Sequence, residues 1–186
     1  MDKFQIQKKI EQGLKGLSET LAVNFSVTPS LYNYASLVLL WYLTNKLKFN
    51  GLYISLNKPY ESIYKELKQN KLDVNRIYFI DGVGKETGEF LQSNKCFCLE
   101  DPASLVELSV LIKALCNENK IKFIVLDSLN TLLLYNNVKE VERFIHNTLN
   151  RARKSGISVV VMSSKEKSKE GIVAEITQFC DKRIEL

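Results

Sequence analysis

The run Phe123-Ile124-Val125-Leu126-Asp127 ends four apolar residues on a single carboxylate, and Ser128 follows it. A carboxylate at the carboxyl end of a buried strand has two chemical uses: it holds a magnesium ion, or it caps the following turn. Ligands of open parallel sheets gather at these strand ends. A second such place is the loop Ser26-Val27-Thr28-Pro29-Ser30-Leu31-Tyr32-Asn33-Tyr34, which runs straight into a long apolar segment. A phosphate-binding loop there needs Gly, so that backbone N–H groups approach the anion, and Lys for charge. This loop has neither Gly nor Lys. Asn33 supplies no positive charge, whereas Lys58, after the next strand-like run, could approach a phosphate from another side. A Tyr32 or Tyr34 ring could stack on a base, although Tyr32, Tyr34, Trp41 and Tyr42 at near-helical spacing read better as core or interface.

The remaining reactive residue types carry less. Cys96-Phe97-Cys98 lacks the two-to-four-residue spacer of common zinc sites, and the lone histidine, His146, has no companion. Cys96, Cys98, Cys116 and Cys180 therefore read as buried reduced thiols, and no metal set is expected. His146 shares a polar helix face with Arg143 and Asn150 and reads as solvated. Asp81, ending the apolar run Ile77–Ile80, reads as a turn cap.

The elements that position these residues alternate strand with helix, the pattern of a mainly parallel sheet covered by helices. An amphipathic helix over Phe4–Leu14 leads to a strand over Thr20–Phe25. A nearly continuous apolar helix over Leu31–Lys48 should be buried on most sides. Gly51–Leu56 is the second strand, and Pro59 starts the helix carrying Ile63, Tyr64 and Leu67. Strands follow at Ile77–Ile80 and Cys96–Leu99, separated by a polar loop over Gly84–Asn94. Asp101 and Pro102 are placed to cap the helix of Leu105, Leu108, Ile112 and Leu115. After Phe123–Asp127, the residues Val138, Val141, Ile145, Leu149 and Ala152 line one helix face. Gly156 closes that helix, and Ser158–Met162 is another buried strand. A polar stretch, Ser163–Gly171, precedes a short helix over Ile172–Phe179 and an edge strand within Asp181–Leu186.

With 186 residues, 45% of them hydrophobic, the chain is long enough for a sizeable core and short for two domains. Residues 1–186 are expected to form one domain, 1–16 being a helix leading into it. The longest apolar run, Ala35–Leu43, is about half the roughly 20 residues of a membrane span, and the N-terminus lacks signal-peptide character. No membrane association and a cytoplasmic location are expected. The net charge of +5 is spread among interspersed acids and bases, which is weak support for a nucleic-acid partner.

The segments Gly51–Tyr60, Ile77–Asp81, Val125–Leu129 and Phe179–Leu186 together resemble the KaiC-like branch of the RecA superfamily, over nearly the whole chain after Gly16. Asp127–Asn136 followed by Arg143–His146 is similar to a group of archaeal homologues within that branch. The resemblance implies a RecA-like α/β fold of the P-loop NTPase kind, an open sheet with helices on both faces. The spacing back from Gly51 places Tyr32, Asn33 and Tyr34 where the family has its loop Gly, Lys and Thr, so the Walker A loop is degenerate. Tyr32 and Tyr34 are expected to fill the space that Gly would leave open. The metal-assisting Asp is kept as Asp127. The carboxylate pair that activates water would fall at Asn57 and Lys58, and neither is a carboxylate. The family-equivalent nucleotide cleft comprises Thr28, Ser30, Asn33, Tyr34, Lys58, Asp127 and Ser128.

The expectation is a catalytically silent RecA/KaiC-like domain with no catalytic residue and no cofactor, acting through a protein partner or self-association. Two other readings stand beside it. One is an ATP-binding protein or weak ATPase, with ATP and magnesium as cofactors and Lys58 or a partner's Arg in place of the missing Lys. The other is a nucleic-acid accessory protein of the recombinase-paralogue kind.

Overall fold

The computed structural model describes residues 3–84, 93–118 and 120–186. Most of the polar loop expected over Gly84–Asn94 thus lies outside the described residues. Seven strands, β1 (Ala22–Val27), β2 (Gly51–Ser55), β3 (Ile77–Asp81), β4 (Cys96–Cys98), β5 (Phe123–Asp127), β6 (Ser158–Ser164) and β7 (Lys182–Glu185), form one open sheet. Its order is β4-β3-β2-β5-β6-β1-β7, and every neighbouring pair is parallel. Among the described residues the α-helices are α1 (Lys3–Gly13), α2 (Tyr32–Trp41), α3 (Tyr60–Gln69), α4 (Leu105–Glu118), α5 (Leu129–Tyr135), α6 (Val138–Lys154) and α7 (Glu170–Thr177).

The central strands are largely apolar on both faces because both are covered, as parallel sheets require, whereas the edge strand β7 exposes Lys182, Arg183 and Glu185. Alternation along each strand divides the core into two. Phe25, Tyr53, Phe79, Phe123 and Val125 pack against Ile10, Leu39 and Ile63 of α1, α2 and α3. Leu52, Ile54, Ile124, Leu126 and Val161 face Leu108, Ile145 and Ile176 of α4, α6 and α7. Gly51 lies against the Phe123 ring so closely that a Cβ would sit 2.1 Å from it, which leaves no room for a side chain. Gly156, at φ +66°, takes the left-handed conformation that ends α6, as expected for a helix-closing glycine.

From β2 the chain moves outward to β3 and β4, whereas from β5 it moves the other way to β6. The crevice between the carboxyl ends of β2 and β5 is therefore a topological switch point, where such sheets place ligands.

Several expectations are corrected. The first strand is Ala22–Val27, not Thr20–Phe25: Thr20 has φ +66°, incompatible with a strand, while Ser26 and Val27 pair with Ser163 and Ser164 of β6. The long helix does not run unbroken over Leu31–Lys48. It is α2 followed by a π-helical turn, Tyr42–Lys46, with the Leu47 N–H donating to the Tyr42 carbonyl. Asp101 closes the turn before α4 through the Ala103 N–H (2.8 Å), and Ser104 caps the helix through the Glu107 N–H (3.2 Å). Helix α5 follows directly on Asp127-Ser128, where no helix is foreseen from the sequence. All four cysteines are unbridged but half-buried rather than buried. His146 is exposed, yet its ring packs 4.7 Å from Phe179 and lies 3.1 Å from the Asn150 amide. Among the described residues, no helix is long and apolar enough to cross a membrane.

Candidate functional site

The β2–β5 register sets Ser55 beside Asp127, and Tyr53 two residues earlier on the same face. Ser55 closes a tight turn, its hydroxyl donating to the Lys58 carbonyl (2.6 Å) and accepting from the Lys58 N–H (3.3 Å). That turn aims Asn57 across the crevice. Its amide donates to Asp127 Oδ1 (3.0 Å), and its carbonyl oxygen accepts from the Thr131 hydroxyl on α5. Tyr32, the first residue of α2, donates its hydroxyl to the same Oδ1 (2.7 Å). Tyr53, whose buried phenol needs an acceptor, donates to Asp127 Oδ2. Both carboxylate oxygens thus receive side-chain donors from separate elements.

Asp127 is only 7% exposed. Burial pushes its carboxyl above the ordinary value, opposed by the hydrogen bonds from Tyr53, Tyr32 and Asn57 and by the charge of Lys58. Burial, and then the Asp127 charge, push Tyr32 and Tyr53 well above the ordinary phenol value. Both stay protonated donors at neutral pH. Lys58 is also engaged, its Nζ lying 3.1 Å from Asn33 Oδ1 and 3.3 Å from Glu66 Oε2 on α3.

A cavity of about 180 Å³ remains between α2, α3 and the end of β2, bounded on its polar side by Tyr32, Asn33, Tyr53, Lys58, Glu66 and Asp127. It is smaller than the roughly 300–1,000 Å³ of small-molecule pockets.

Of the expected cleft residues, the fold brings together Asn33, Lys58 and Asp127. Ser128 is buried beside them, its hydroxyl 3.1 Å from Thr131 Oγ1. Thr28, Ser30 and Tyr34 do not line the cavity. Thr28 donates its N–H to the Leu186 carbonyl (3.0 Å), and Ser30 is exposed in the turn before α2. Tyr34 turns its hydroxyl toward the Lys3 carbonyl of α1 (3.4 Å), away from the cavity that Tyr32 lines. Asp81 caps a turn, as expected. Tyr53, Thr131 and Glu66 are not foreseen. The one signal for Tyr53 is a phenol in a strand otherwise fit for full burial; Thr131 and Glu66 carry none.

A sequence search of curated proteins returns no match. Among solved structures, the fold resembles a KaiC-like protein from the hyperthermophilic archaeon Pyrococcus horikoshii OT3, with a TM-score of 0.59 at 11% identity. The superposition covers 84% of this chain and 67% of that one. The sequence matches the family described as "ATPase: KaiC" over residues 36–186, a stretch that contains Asn57, Lys58 and Asp127 and begins just after the Tyr32–Tyr34 positions. The chain therefore belongs to the KaiC ATPase-domain family.

Proposed function

We propose that this chain is a catalytically silent KaiC-like domain that works as a regulatory or protein-interaction module. The observation that carries this reading is the state of Asp127: Tyr32, Tyr53 and Asn57 occupy both carboxylate oxygens from inside the protein. A magnesium-bound nucleotide does not fit these residues. The first turn of α2 begins with a tyrosine where a phosphate would enter, and the N–H groups of Leu31 and Tyr32 are already given to the Thr28 and Pro29 carbonyls. Lys58 is held by Asn33 and Glu66. No carboxylate stands at 57 or 58 to orient an attacking water.

A ligand at about 100 times its Kd stabilises a fold by ~2.7 kcal/mol, and each kcal/mol moves the Tm of a chain this size by about 2–4 °C. Millimolar ATP with magnesium is expected to leave the Tm within about one degree, with no phosphate release above a protein-free control. A clear rise abolished by Lys58→Ala, or hydrolysis above that control, overturns the reading in favour of an atypical ATPase.

A contact role is supported by a groove of about 930 Å³ between α4 and α6. Val106 and Val110 on its wall are 76% and 61% exposed, and among the described residues lining it Lys113, Arg143, Arg151 and Lys154 stand against the one acid Glu140. This apolar strip with a basic rim matches an acidic amphipathic segment of a partner protein. Salt-sensitive binding of a synthetic acidic amphipathic peptide, lost in Arg143→Glu/Arg151→Glu, is the expected result. Binding of DNA but not peptide, lost in the same variant, would favour the nucleic-acid accessory reading.

A further inference from the structure

The edge strand β4 places chemistry that nothing so far uses. Its register sets Cys98 beside Asp81 of β3, and Cys96 lies two residues earlier on the same face. One carboxylate oxygen of Asp81 and the two sulfurs all lie within 4.8 Å of one another. Among the described residues no other set of three His, Cys, Asp or Glu side chains converges in this way. The Asp81 carboxylate is fixed in orientation: Oδ2 accepts from the Tyr60 N–H (2.7 Å), and Oδ1 from the Val83 (2.9 Å) and Gly84 (2.8 Å) N–H groups. Oδ2 takes only that one of these three donors, and a carboxylate oxygen offers two lone pairs. Such outer hydrogen bonds are what orients a metal-binding carboxylate.

We propose that Asp81, Cys96 and Cys98 form a three-ligand site for a divalent thiophilic cation of the zinc type. Two sulfurs and one carboxylate oxygen are donors that zinc accepts, at about 2.3 Å for sulfur and about 2.0–2.2 Å for oxygen. Donors around a tetrahedral ion then sit roughly 3.5–3.8 Å apart. From separations within 4.8 Å, the three atoms need to close by at most about 1.3 Å, within the reach of side-chain rotation on a short edge strand. Asp81 is buried and the thiols are half-buried, so the ion would meet a fixed carboxylate from the open side and keep a fourth position for water. Burial pushes the Cys96 thiol upward and keeps it neutral without an ion; the cation releases the thiol protons as the thiolates form. The bound ion would tie three-residue β4 to β3, one strand removed from the crevice at Asp127.

The test is titration of the reduced, chelator-treated full chain with Cd²⁺ and with Zn²⁺. One equivalent of Cd²⁺ per chain is expected to raise a thiolate-to-metal charge-transfer band and one equivalent of Zn²⁺ to suppress it. Cys96→Ser and Cys98→Ser each abolish the band, while Cys116→Ser/Cys180→Ser retains it. Asp81→Asn, which keeps one acceptor oxygen for the Val83 and Gly84 N–H groups and replaces the other with an amide NH2, weakens binding by at least about tenfold. Absence of the band in folded wild-type protein, its persistence in Cys96→Ser, or its loss in Cys116→Ser/Cys180→Ser overturns the site.

Discussion

Asp81 and Asp127 end β3 and β5, the two strands that flank β2, are 2% and 7% exposed, and are satisfied in opposite ways. Asp81 is held by main-chain N–H groups of Tyr60, Val83 and Gly84, two of them from the turn that follows it directly. Asp127 is held by side chains of Tyr32, Tyr53 and Asn57, which come from α2, β2 and the turn after β2. The first arrangement is built into the path of the backbone. The second depends on three replaceable side chains, and a carboxylate that substitutions alone can free or occupy is one whose function can be gained or lost while the fold persists.

The largest expected effect comes from breaking the backbone arrangement. Asp81→Ala leaves three N–H groups without their acceptor, at a cost of about 1–3 kcal/mol for each that stays buried. Chemical denaturation should show a loss of about 3 kcal/mol or more, and a loss under about 1 kcal/mol would mean that water reaches the turn. Next is Tyr53→Phe, which removes the donor to Asp127 Oδ2 and is expected to cost about 1–3 kcal/mol. Tyr32→Phe should cost less, about 1 kcal/mol, because Oδ1 keeps the Asn57 amide. Equal losses would erase the distinction between the two oxygens.

The smallest effect is Asp127→Asn, expected within about 1 kcal/mol at neutral pH, because losing a buried charge offsets imperfect pairing. Its signature is the pH profile. The folded-state carboxyl lies above its unfolded value, so its contribution to stability is fully present below the unfolded value and is lost as pH rises through the raised folded value. Denaturation midpoints measured from acid to neutral pH should therefore show the variant gaining on the wild type through that window. A variant that instead falls further behind the wild type as pH rises through that window would mean that hydrogen bonding outweighs burial at this carboxylate.

Much of this molecule follows from the sequence alone. Alternating apolar runs, each long enough for a strand or for a helix face, dictate a parallel sheet covered on both sides, because neither kind of run is stable until buried. The same reading places Asp127 at a strand end and finds neither Gly nor Lys in the preceding loop, since residue type and position are written in the chain. Register and side-chain direction are not written there. Tyr53 reaches Asp127 because β2 and β5 pair Ser55 with Asp127, and that alignment is fixed by the two cores jointly. Tyr34, one helical step beyond Asn33, turns to α1 rather than to the crevice because α2 presents successive residues about 100° apart. Cys96-Phe97-Cys98 carries no metal-ligand spacing, and only the β3–β4 register adds Asp81 to it. Local pattern decides which segments form because burial and backbone pairing act along the chain. Which side chains meet is decided by contacts between distant segments, and these exist only once the sheet has assembled.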